Sequence, residues 1–218
     1  MSASEPTVVP EVALIEERLP GTVLGVSLER GELRIMVERE RIVEVLALLR
    51  DHPALDYRFF SECLGVDYLD PETGQPILGK NHRFEVVYNL YSVPDPATGR
   101  GSGRRVFVTV GVPEDDPRVP SVVGVYPGAE FPEREIFDLF GVRFEGHPDL
   151  RRILMPDDWI GHPLRKDYPL GGERVQFPDG TYGPAISDRV VQHPGESFSG
   201  LTGSEDEPAP GLPATPGL

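Results

Sequence analysis

Residues 133–170 have the sequence EREIFDLFGVRFEGHPDLRRILMPDDWIGHPLRKDYPL, and they contain the last helix that the sequence predicts. Ile136, Leu139 and Phe140 recur at helical spacing, which indicates an amphipathic helix packed on a core. Gly141 follows directly and suits a left-handed C-terminal cap. Helical periodicity disappears after this glycine, so the regular domain is predicted to end near residue 141.

The polar residues of this helix lie at positions that favour it. Glu133 and Glu135 are expected in the first turn, near the positive end of the helix dipole. Pro132 is acceptable near a helix start because its missing N–H is not needed there. Arg134 and Asp138 are four residues apart and are predicted to pair along the exposed face of the helix.

The triplet Gly-His-Pro occurs twice after the helix, at residues 146–148 and 161–163. The proline of each triplet keeps the preceding histidine, His147 or His162, out of the α region of backbone space. Adjacent basic residues follow each triplet, at 151–152 and at 165–166. This pattern is typical of an extended segment that presents charged side chains.

The local charge of residues 133–170 differs from that of the whole chain. Six basic and eight acidic residues give this stretch a net charge of −2, whereas the chain carries −15. A nearly neutral strip rich in arginine and aromatic residues on an acidic protein is typical of a protein–protein contact. The residues predicted to bind a partner are Glu133, Arg134, Glu135, Asp138, His147, Asp149, Arg151, Arg152, His162, Arg165, Lys166, Asp167 and Tyr168.

The chain before residue 133 predicts an α+β domain. Helices are expected at Glu11 to Leu19 and at residues 40–51, and a hairpin is expected around Arg30-Gly31. Further strands are expected within residues 57–68, 82–93 and 104–112. The predicted fold class is therefore α+β, with a four- to five-stranded, mostly antiparallel sheet and two or three helices, followed by an extended C-terminal arm.

Four regions follow from these patterns. Residues 1–10 are predicted to be a flexible N-terminus, and residues 11–141 form the α+β domain. Residues 142–170 are the extended partner-binding arm. Residues 171–218 are a Gly/Pro-rich acidic tail that is predicted to be largely disordered toward its end, because its apolar content is low.

Composition restricts the possible functions. A net charge of −15 opposes binding to nucleic acid or to a bare anionic membrane surface. Cys63 is the single cysteine, which excludes a cluster held by four thiolates and a Cys-rich zinc site; its apolar context predicts a small core residue. The chain has no secretory signal pattern and no apolar run of about 20 residues, so a soluble intracellular protein without direct bilayer insertion is expected.

Two catalytic alternatives involve the same histidines. His147, Asp149 and His162 are conceivable metal ligands, but the 15-residue separation of the histidines matches no common ligand spacing. His162 with Asp158 or Asp167 could form an acid–base pair, although no serine or cysteine elbow accompanies it. An independent His-based metalloenzyme is therefore a remote alternative.

Three blocks within this stretch, EREIFDLFG (133–141), GHPDLRRIL (146–154) and GHPLRKDYPL (161–170), resemble the signature of a known family in its order. The family is the C subunit of the proton-translocating NADH–quinone oxidoreductase, the bacterial counterpart of the 30 kDa subunit of mitochondrial complex I. Weaker resemblance includes Leu64–Tyr68, Phe84–Tyr91 and Pro113–Pro117. The resemblance covers roughly residues 10–170.

The resemblance implies a subunit without redox centres in the hydrophilic arm of an enzyme that oxidises NADH, reduces quinone and pumps protons. It implies that this chain binds no cofactor itself, while other subunits hold FMN, iron–sulfur clusters and quinone, and that the isolated chain is not catalytic. The implied partner is chiefly the D subunit, which helps to form the quinone chamber, with the B and I/G subunits nearby. The implied location is peripheral, on the cytoplasmic side of the cell inner membrane.

The sequence departs from the family pattern at two places. Pro127 and Pro132 stand where the family more usually has helix-compatible residues, so a shorter or interrupted helix is expected there. The Pro-rich acidic tail after Gly200 is not part of the pattern. An equivalent scaffold subunit in a related membrane-bound hydrogenase or dehydrogenase is the alternative that the resemblance leaves open.

Overall fold

The computed structural model describes residues 9–77 and 79–168, which form an α+β fold with three α-helices and two sheets. In chain order the elements are α1 (Pro10–Arg18), β1 (Val23–Glu29), β2 (Glu32–Val37), α2 (Ile42–Asp51), β3 (Phe59–Asp67), β4 (Phe84–Tyr91), β5 (Arg105–Val112), β6 (Arg118–Pro120), α3 (Glu130–Phe140) and β7 (Arg143–Glu145). Most of the predicted flexible N-terminus (1–10) and the whole predicted tail (171–218) lie outside the described residues.

The larger sheet has five strands in the order β1-β2-β5-β4-β3. All neighbours pair antiparallel except β2 and β5, which run parallel. β6 and β7 form a separate parallel pair. The predicted fold class is confirmed, including the mostly antiparallel sheet and the number of helices.

The core lies between the helices and one face of the larger sheet. Alternate residues of the two central strands are buried there: Phe84, Val86, Tyr88 and Leu90 in β4, and Val106, Val108, Val110 and Val112 in β5. The predicted stripe of α2, formed by Ile42, Leu46 and Leu49, is fully buried in the same cluster. Cys63 of β3 is buried in this core, as the sequence predicts. Burial of such side chains stabilises a fold by roughly 1.5–3 kcal/mol each.

The hairpin between β1 and β2 has the turn that the sequence predicts. Arg30 and Gly31 both have positive φ, 54° and 84°, which a two-residue type I′ turn requires. The closing pair of the ladder is Glu29 with Glu32.

The last helix, α3, begins three residues before the predicted first turn. A 3₁₀ turn at Pro127–Ala129 leads into Glu130, and Pro132 lies within the first turn, where a missing N–H leaves no bond unmade. Pro132 therefore does not interrupt α3, and the 3₁₀ turn that begins at Pro127 is the irregular element upstream of the helix; a helix shorter than in the family stays a prediction. Gly141 caps the C-terminus with φ of 77°, as predicted.

The segment after α3 begins with β7 and then runs without regular structure to Tyr168. It belongs to the same compact unit as the sheet. Its polar contacts with α3, with Asp67 of β3 and with Arg83 just before β4 position the candidate site.

Candidate partner-binding surface

Asp138 of α3 is the centre of the contacts between this helix and the segment that follows it. Its Oδ2 accepts hydrogen bonds from three consecutive backbone N–H groups, those of Ile153 (3.0 Å), Leu154 (2.8 Å) and Met155 (2.8 Å). Its Oδ1 accepts a bond from Arg152 Nη1 at 2.7 Å. The Asp138 side chain is fully buried, so one carboxylate fixes the backbone of residues 153–155 against the helix.

These bonds determine the protonation state of Asp138. Burial alone raises the pKa of a carboxyl group, because it disfavours the charged form. The backbone N–H donors and the Arg152 guanidinium more than offset the burial, and the pKa of Asp138 lies below its usual range. Asp138 is therefore a carboxylate at neutral pH.

Arg152 closes the loop that follows. Besides Asp138, its guanidinium donates to the carbonyl oxygens of Trp159 and Gly161, each at 3.0 Å. One side chain therefore joins both ends of residues 152–161 to the helix. Multiple charge-assisted bonds from one guanidinium favour a single loop geometry.

Arg134 does not pair with Asp138 on an exposed face. Both residues are buried, and Arg134 donates to the carbonyl oxygens of Arg151 (3.2 Å) and Arg152 (3.1 Å). The predicted exposed ion pair is wrong, because the face that carries these residues is covered by the chain that returns after β7. Helical spacing alone places the two residues on one side and does not say what covers that side.

Glu133 is also buried, on the side of α3 that faces residues 121–122. Its carboxylate accepts bonds from Ser121 Oγ (2.6 Å) and from the N–H of Val122 (2.7 Å). Burial raises the pKa of Glu133 although both bonds act in the opposite direction. The Glu133 carboxylate therefore fixes residues 121–122 against α3, in addition to its predicted position near the positive end of the helix dipole.

The two histidines lie at opposite ends of α3. His147 Nε2 donates to the carbonyl oxygen of Glu130 at 3.0 Å, and its Nδ1 accepts from the N–H of Asp149. His162 Nδ1 donates to the carbonyl oxygen of Asp138 at 2.8 Å. These two carbonyls are eight residues apart, about 12 Å along a helix, so the imidazoles act as separate backbone clamps.

His162 and Arg165 pack on the C-terminal cap of α3. A Cβ at Gly141 would lie 2.5 Å from Arg165 Nη2 and 2.6 Å from the His162 ring. Arg165 Nε donates to the carbonyl oxygen of Phe140 at 2.6 Å. Partial burial lowers the pKa of His162, and the nearby Arg165 and Arg152 guanidiniums lower it further.

A second anchor holds the last described residues and involves residues that the sequence did not single out. Arg83, immediately before β4, is buried and donates to both carboxylate oxygens of Asp67 and both of Asp167, as well as to Glu114. The N–H of Lys166 also donates to Asp67, at 2.9 Å. Asp67 and Glu114 fall inside the weaker blocks of the resemblance, which is the signal that could have found them.

The predicted partner-binding residues thus differ in exposure. Glu133, Arg134 and Asp138 are buried; His147, Arg152, His162, Arg165 and Tyr168 are partly buried; Glu135, Asp149, Arg151, Lys166 and Asp167 are exposed. The first two groups bond within this chain. All of the third group reach the surface, although Asp167 also bonds to Arg83 and Asp149 to Arg151. Their binding of a partner stays a prediction.

Exposed apolar side chains accompany these charged residues, and the sequence reasoning did not name them. We call Leu154, Ile160 and Leu164 the apolar arm residues; they are 59%, 78% and 50% exposed. Trp159 lies between them, and its buried Nε1 has no hydrogen-bond acceptor among the described residues. A loop held rigid by internal bonds while presenting large apolar side chains has the anatomy of a docking surface.

Two further observations concern metals and membranes. Within residues 9–77 and 79–168, no three His, Cys, Asp or Glu side chains lie close enough to hold a metal ion. No helix in this part of the chain is both long and apolar enough to cross a bilayer. The features present define an α+β platform that carries a braced loop with exposed apolar side chains.

Comparison with known proteins assigns this chain to a family. The family described as respiratory-chain NADH dehydrogenase, 30 Kd subunit, matches residues 35–174. The C subunit of NADH-quinone oxidoreductase from Roseiflexus castenholzii (strain DSM 13941 / HLO8) is 48% identical over 193 residues, which are 88% of this chain and 97% of that protein. The chain belongs to the 30 kDa subunit family of the respiratory-chain NADH dehydrogenase.

Other relatives agree with this assignment. The C subunit of NADH-quinone oxidoreductase from Thermus thermophilus (strain ATCC BAA-163 / DSM 7039) is 44% identical over 182 residues, 84% of this chain and 77% of that protein. The solved trypsin-resistant fragment (1–134) of Nqo5 superposes with a TM-score of 0.52 at 40% identity, covering 65% of this chain and 98% of the fragment.

A chain in the structure of the membrane-bound sulfane sulfur reductase, an archaeal respiratory membrane complex, also matches. Its TM-score is 0.56 at 26% identity, and the match covers 73% of this chain and 84% of that chain. A similar fold therefore also occurs in a respiratory complex that is named as a sulfane sulfur reductase.

Proposed function

We propose that this chain is a structural subunit of the hydrophilic arm of a proton-translocating NADH–quinone oxidoreductase, and that it braces the quinone-side D subunit through residues 146–168. The family assignment and relatives up to 50% identical support membership of such a complex. The observation that carries the bracing role is the loop of residues 152–161, whose polar groups are bonded to α3 while Leu154 and Ile160 stay exposed.

The proposed mechanism is preorganisation. A partner that binds a flexible loop must offset the entropy of ordering it, whereas a loop that is already fixed removes most of that cost. Asp138 and Arg152 hold the loop before any partner arrives. The apolar arm residues then supply buried area, and exposed Arg151 and Lys166 are available for carboxylates or carbonyl oxygens of the D subunit.

We further propose that this chain binds no redox cofactor and that FMN, iron–sulfur clusters and quinone belong to other subunits. The single cysteine supports this for iron–sulfur clusters, because Cys63 is buried and burial raises the pKa of its thiol well above the usual range. A protonated core thiol is a poor cluster ligand. The B and I/G subunits are the proposed neighbours, on the cytoplasmic side of the membrane.

The second candidate is the equivalent scaffold in a related membrane-bound hydrogenase or dehydrogenase. The match to a chain of the sulfane sulfur reductase complex supports this second candidate. The higher identity to subunits of NADH–quinone oxidoreductase, 44–50%, favours the first proposal.

Purification of the tagged chain from solubilised native membranes tests the proposal. We expect co-purification of the B, D and I subunits with NADH:quinone reductase activity. Recovery with hydrogenase subunits instead would favour the second candidate, and recovery of the chain alone would contradict both. Elemental analysis of the isolated chain should give no stoichiometric metal.

A further inference from the structure

A second exposed apolar surface lies on the edge strand β1. This edge of the sheet is opposite to β3, the edge strand that α3 contacts. Leu24, Val26 and Leu28 are 60%, 46% and 58% exposed. Val26 pairs with Ile35 and Leu28 with Leu33, and both partners are buried on the helix-covered face. Directly opposed residues of an antiparallel pair point to the same face. The helical layer reaches the start of β1 through α1 but leaves Val26 and Leu28 uncovered.

The main chain of β1 is also free on one side. Among the described strands β1 pairs only with β2, so every second residue directs its N–H and C=O away from the sheet. Edge strands are usually protected by lysine, proline or inward-facing charge. The sequence VLGVSLE contains neither lysine nor proline, its one charge is at its end, and its one irregularity lies at its start, between Val23 and Gly25.

A cleft of about 430 Å³ adjoins this edge. It lies between the first turn of α1 and the β1–β2 hairpin, and its apolar wall includes Val9, Leu28, Leu33 and Tyr57. The volume falls in the range of ligand and side-chain pockets. Because Leu28 belongs to both the cleft and the free edge, an extended chain can use both, whereas a small molecule can fill only the cleft.

Glu11 gives this cleft a chemical preference. Its carboxylate is buried, and Oε1 accepts from Tyr57 Oη at 2.6 Å and lies 3.0 Å from Arg104 Nη2. Oε2 is buried without a hydrogen bond from the described residues. Arg104 and Arg105 also line the cleft, so a further cation is disfavoured. A neutral donor therefore suits the unbonded oxygen of Glu11 better than a second cation does.

The geometry points to a docking site for an extended segment of a partner protein, which pairs with the free edge of β1 and places a tyrosine or tryptophan side chain in the cleft. These residues combine a large apolar body with a single neutral O–H or N–H donor, and they dominate binding energy in protein interfaces. Strand addition supplies the main-chain bonds and the pocket supplies selectivity. A second copy of β1 could pair with the free edge, but its sequence contains no tyrosine or tryptophan to donate a hydrogen bond to Glu11.

The cleft chemistry is tested on the full chain with two matched probes, N-acetyl-tyrosinamide and N-acetyl-phenylalaninamide, followed by amide NMR. The tyrosine probe should shift the amides of Leu28, Leu33 and Tyr57 with a dissociation constant on the order of a millimolar. The phenylalanine probe, which lacks the donor, should bind about fivefold to tenfold more weakly. Equal binding of both probes, or no shift with either, overturns the proposal.

The partner half of the inference rests on the proposed function and needs the assembled complex. Backbone amides of β1 should exchange hydrogen at least about tenfold more slowly in the complex than in the isolated chain. Leu28→Lys should abolish this protection, while Phe59→Lys, on the opposite edge strand and 52% exposed, should not. If hydrogen exchange of β1 is unchanged in the complex, the docking site is overturned even when the D subunit co-purifies. If the isolated chain forms a dimer and Leu28→Lys prevents it, the edge binds a second copy of this chain instead, which also overturns the proposal. If the chain purifies alone, the proposed function fails, and the probe titration still decides the cleft.

Discussion

Asp138 shows how one side chain replaces regular structure in this protein. Three consecutive N–H groups that no strand or helix satisfies converge on a single buried oxygen. Hydrogen bonds to a charged acceptor contribute more than neutral ones. Residues 153–155 of the irregular segment after β7 are therefore held by a residue of the preceding helix.

Asp138→Asn keeps the size of the side chain and removes its charge, so the amide nitrogen faces a donor. We expect the free energy of unfolding in urea to fall by about 2–3 kcal/mol, with faster hydrogen exchange at residues 153–155. Asp149→Asn is the matched control, because Asp149 pairs with Arg151 at the surface; it should have little effect. Equal stability of the two variants would contradict the central role of Asp138.

The pH dependence separates Asp138 from His162. The pKa of Asp138 is lower in the folded protein than in the unfolded chain, so its contribution is present above about pH 4 and is lost as the pH falls through the folded value. The pKa of His162 is lowered as well, so its contribution is complete above about pH 6.5 and is lost on mild acidification.

Trp159, the one tryptophan of the chain, reports this second transition by fluorescence. As the pH falls below about 6.5, His162 becomes charged in a partly buried site beside the Arg165 and Arg152 guanidiniums, which should displace the ring and change the emission of Trp159. His162→Asn supplies a donor that does not titrate, so its emission should stay constant over this range. If the emission of Trp159 changes in the same way in the wild-type chain and in His162→Asn, a group other than His162 causes the change.

At the scale of elements, the end of α3 depends on a glycine for two reasons. Gly141 has positive φ, and His162 and Arg165 occupy the space that a Cβ needs. Gly21 also has positive φ, 74°, but a Cβ there meets nothing within 4 Å. An alanine would be strained by the positive φ at either position, but it would meet neighbouring side chains only at position 141.

Gly141→Ala should therefore lower the free energy of unfolding more than Gly21→Ala does. Backbone strain contributes roughly 1–2 kcal/mol at either position, and the displaced His162 and Arg165 add to the effect only at position 141. Thermal or urea unfolding of the two variants gives the comparison. Equal losses would mean that the close packing at the cap contributes nothing.

The elements that sequence predicts best are those with a complete local signal. The β1–β2 turn needs two residues of positive φ, and Arg30-Gly31 indicates it directly. The stripe of α2 and the alternation of β4 and β5 each specify a buried face. These signals lie within a few residues, so no knowledge of the rest of the fold is needed.

The candidate site was predicted only in part because its contacts are distant in sequence. The sequence predicts that Arg134 and Asp138 pair with each other, but their actual partners lie 14 or more residues later, where no periodic signal indicates them. Arg83 joins Asp67 and Asp167, which are far apart along the chain, and no local pattern indicates this. The apolar arm residues were missed because isolated apolar residues between prolines resemble ordinary loop.

At the scale of the whole molecule, Arg151 and Arg165 separate binding from folding. The Arg151 side chain is 71% exposed, whereas Arg165 donates to the Phe140 carbonyl and lies over the Phe84 ring. Arg151→Ala should reduce the recovery of complex from membranes with unchanged stability of the isolated chain. Arg165→Ala should reduce both, with a loss of about 1–2 kcal/mol in the free energy of unfolding. Normal recovery of complex from both variants would contradict their role in assembly.

The central claim is that the braced loop of residues 152–161 binds the D subunit through its exposed apolar side chains. The double variant Leu154→Glu/Ile160→Glu changes two exposed residues and leaves the Asp138 and Arg152 bonds in place. Its control is Val93→Glu, which places the same charge at an apolar residue that is 46% exposed and outside both proposed surfaces.

The most direct measurement is the amount of the D subunit recovered per tagged chain from solubilised membranes, determined by quantitative mass spectrometry. The account predicts that the double variant retains at most about one tenth of the wild-type amount, while the isolated variant unfolds at the wild-type urea concentration and Val93→Glu retains all of it. Wild-type recovery of the D subunit with the double variant would contradict the claim.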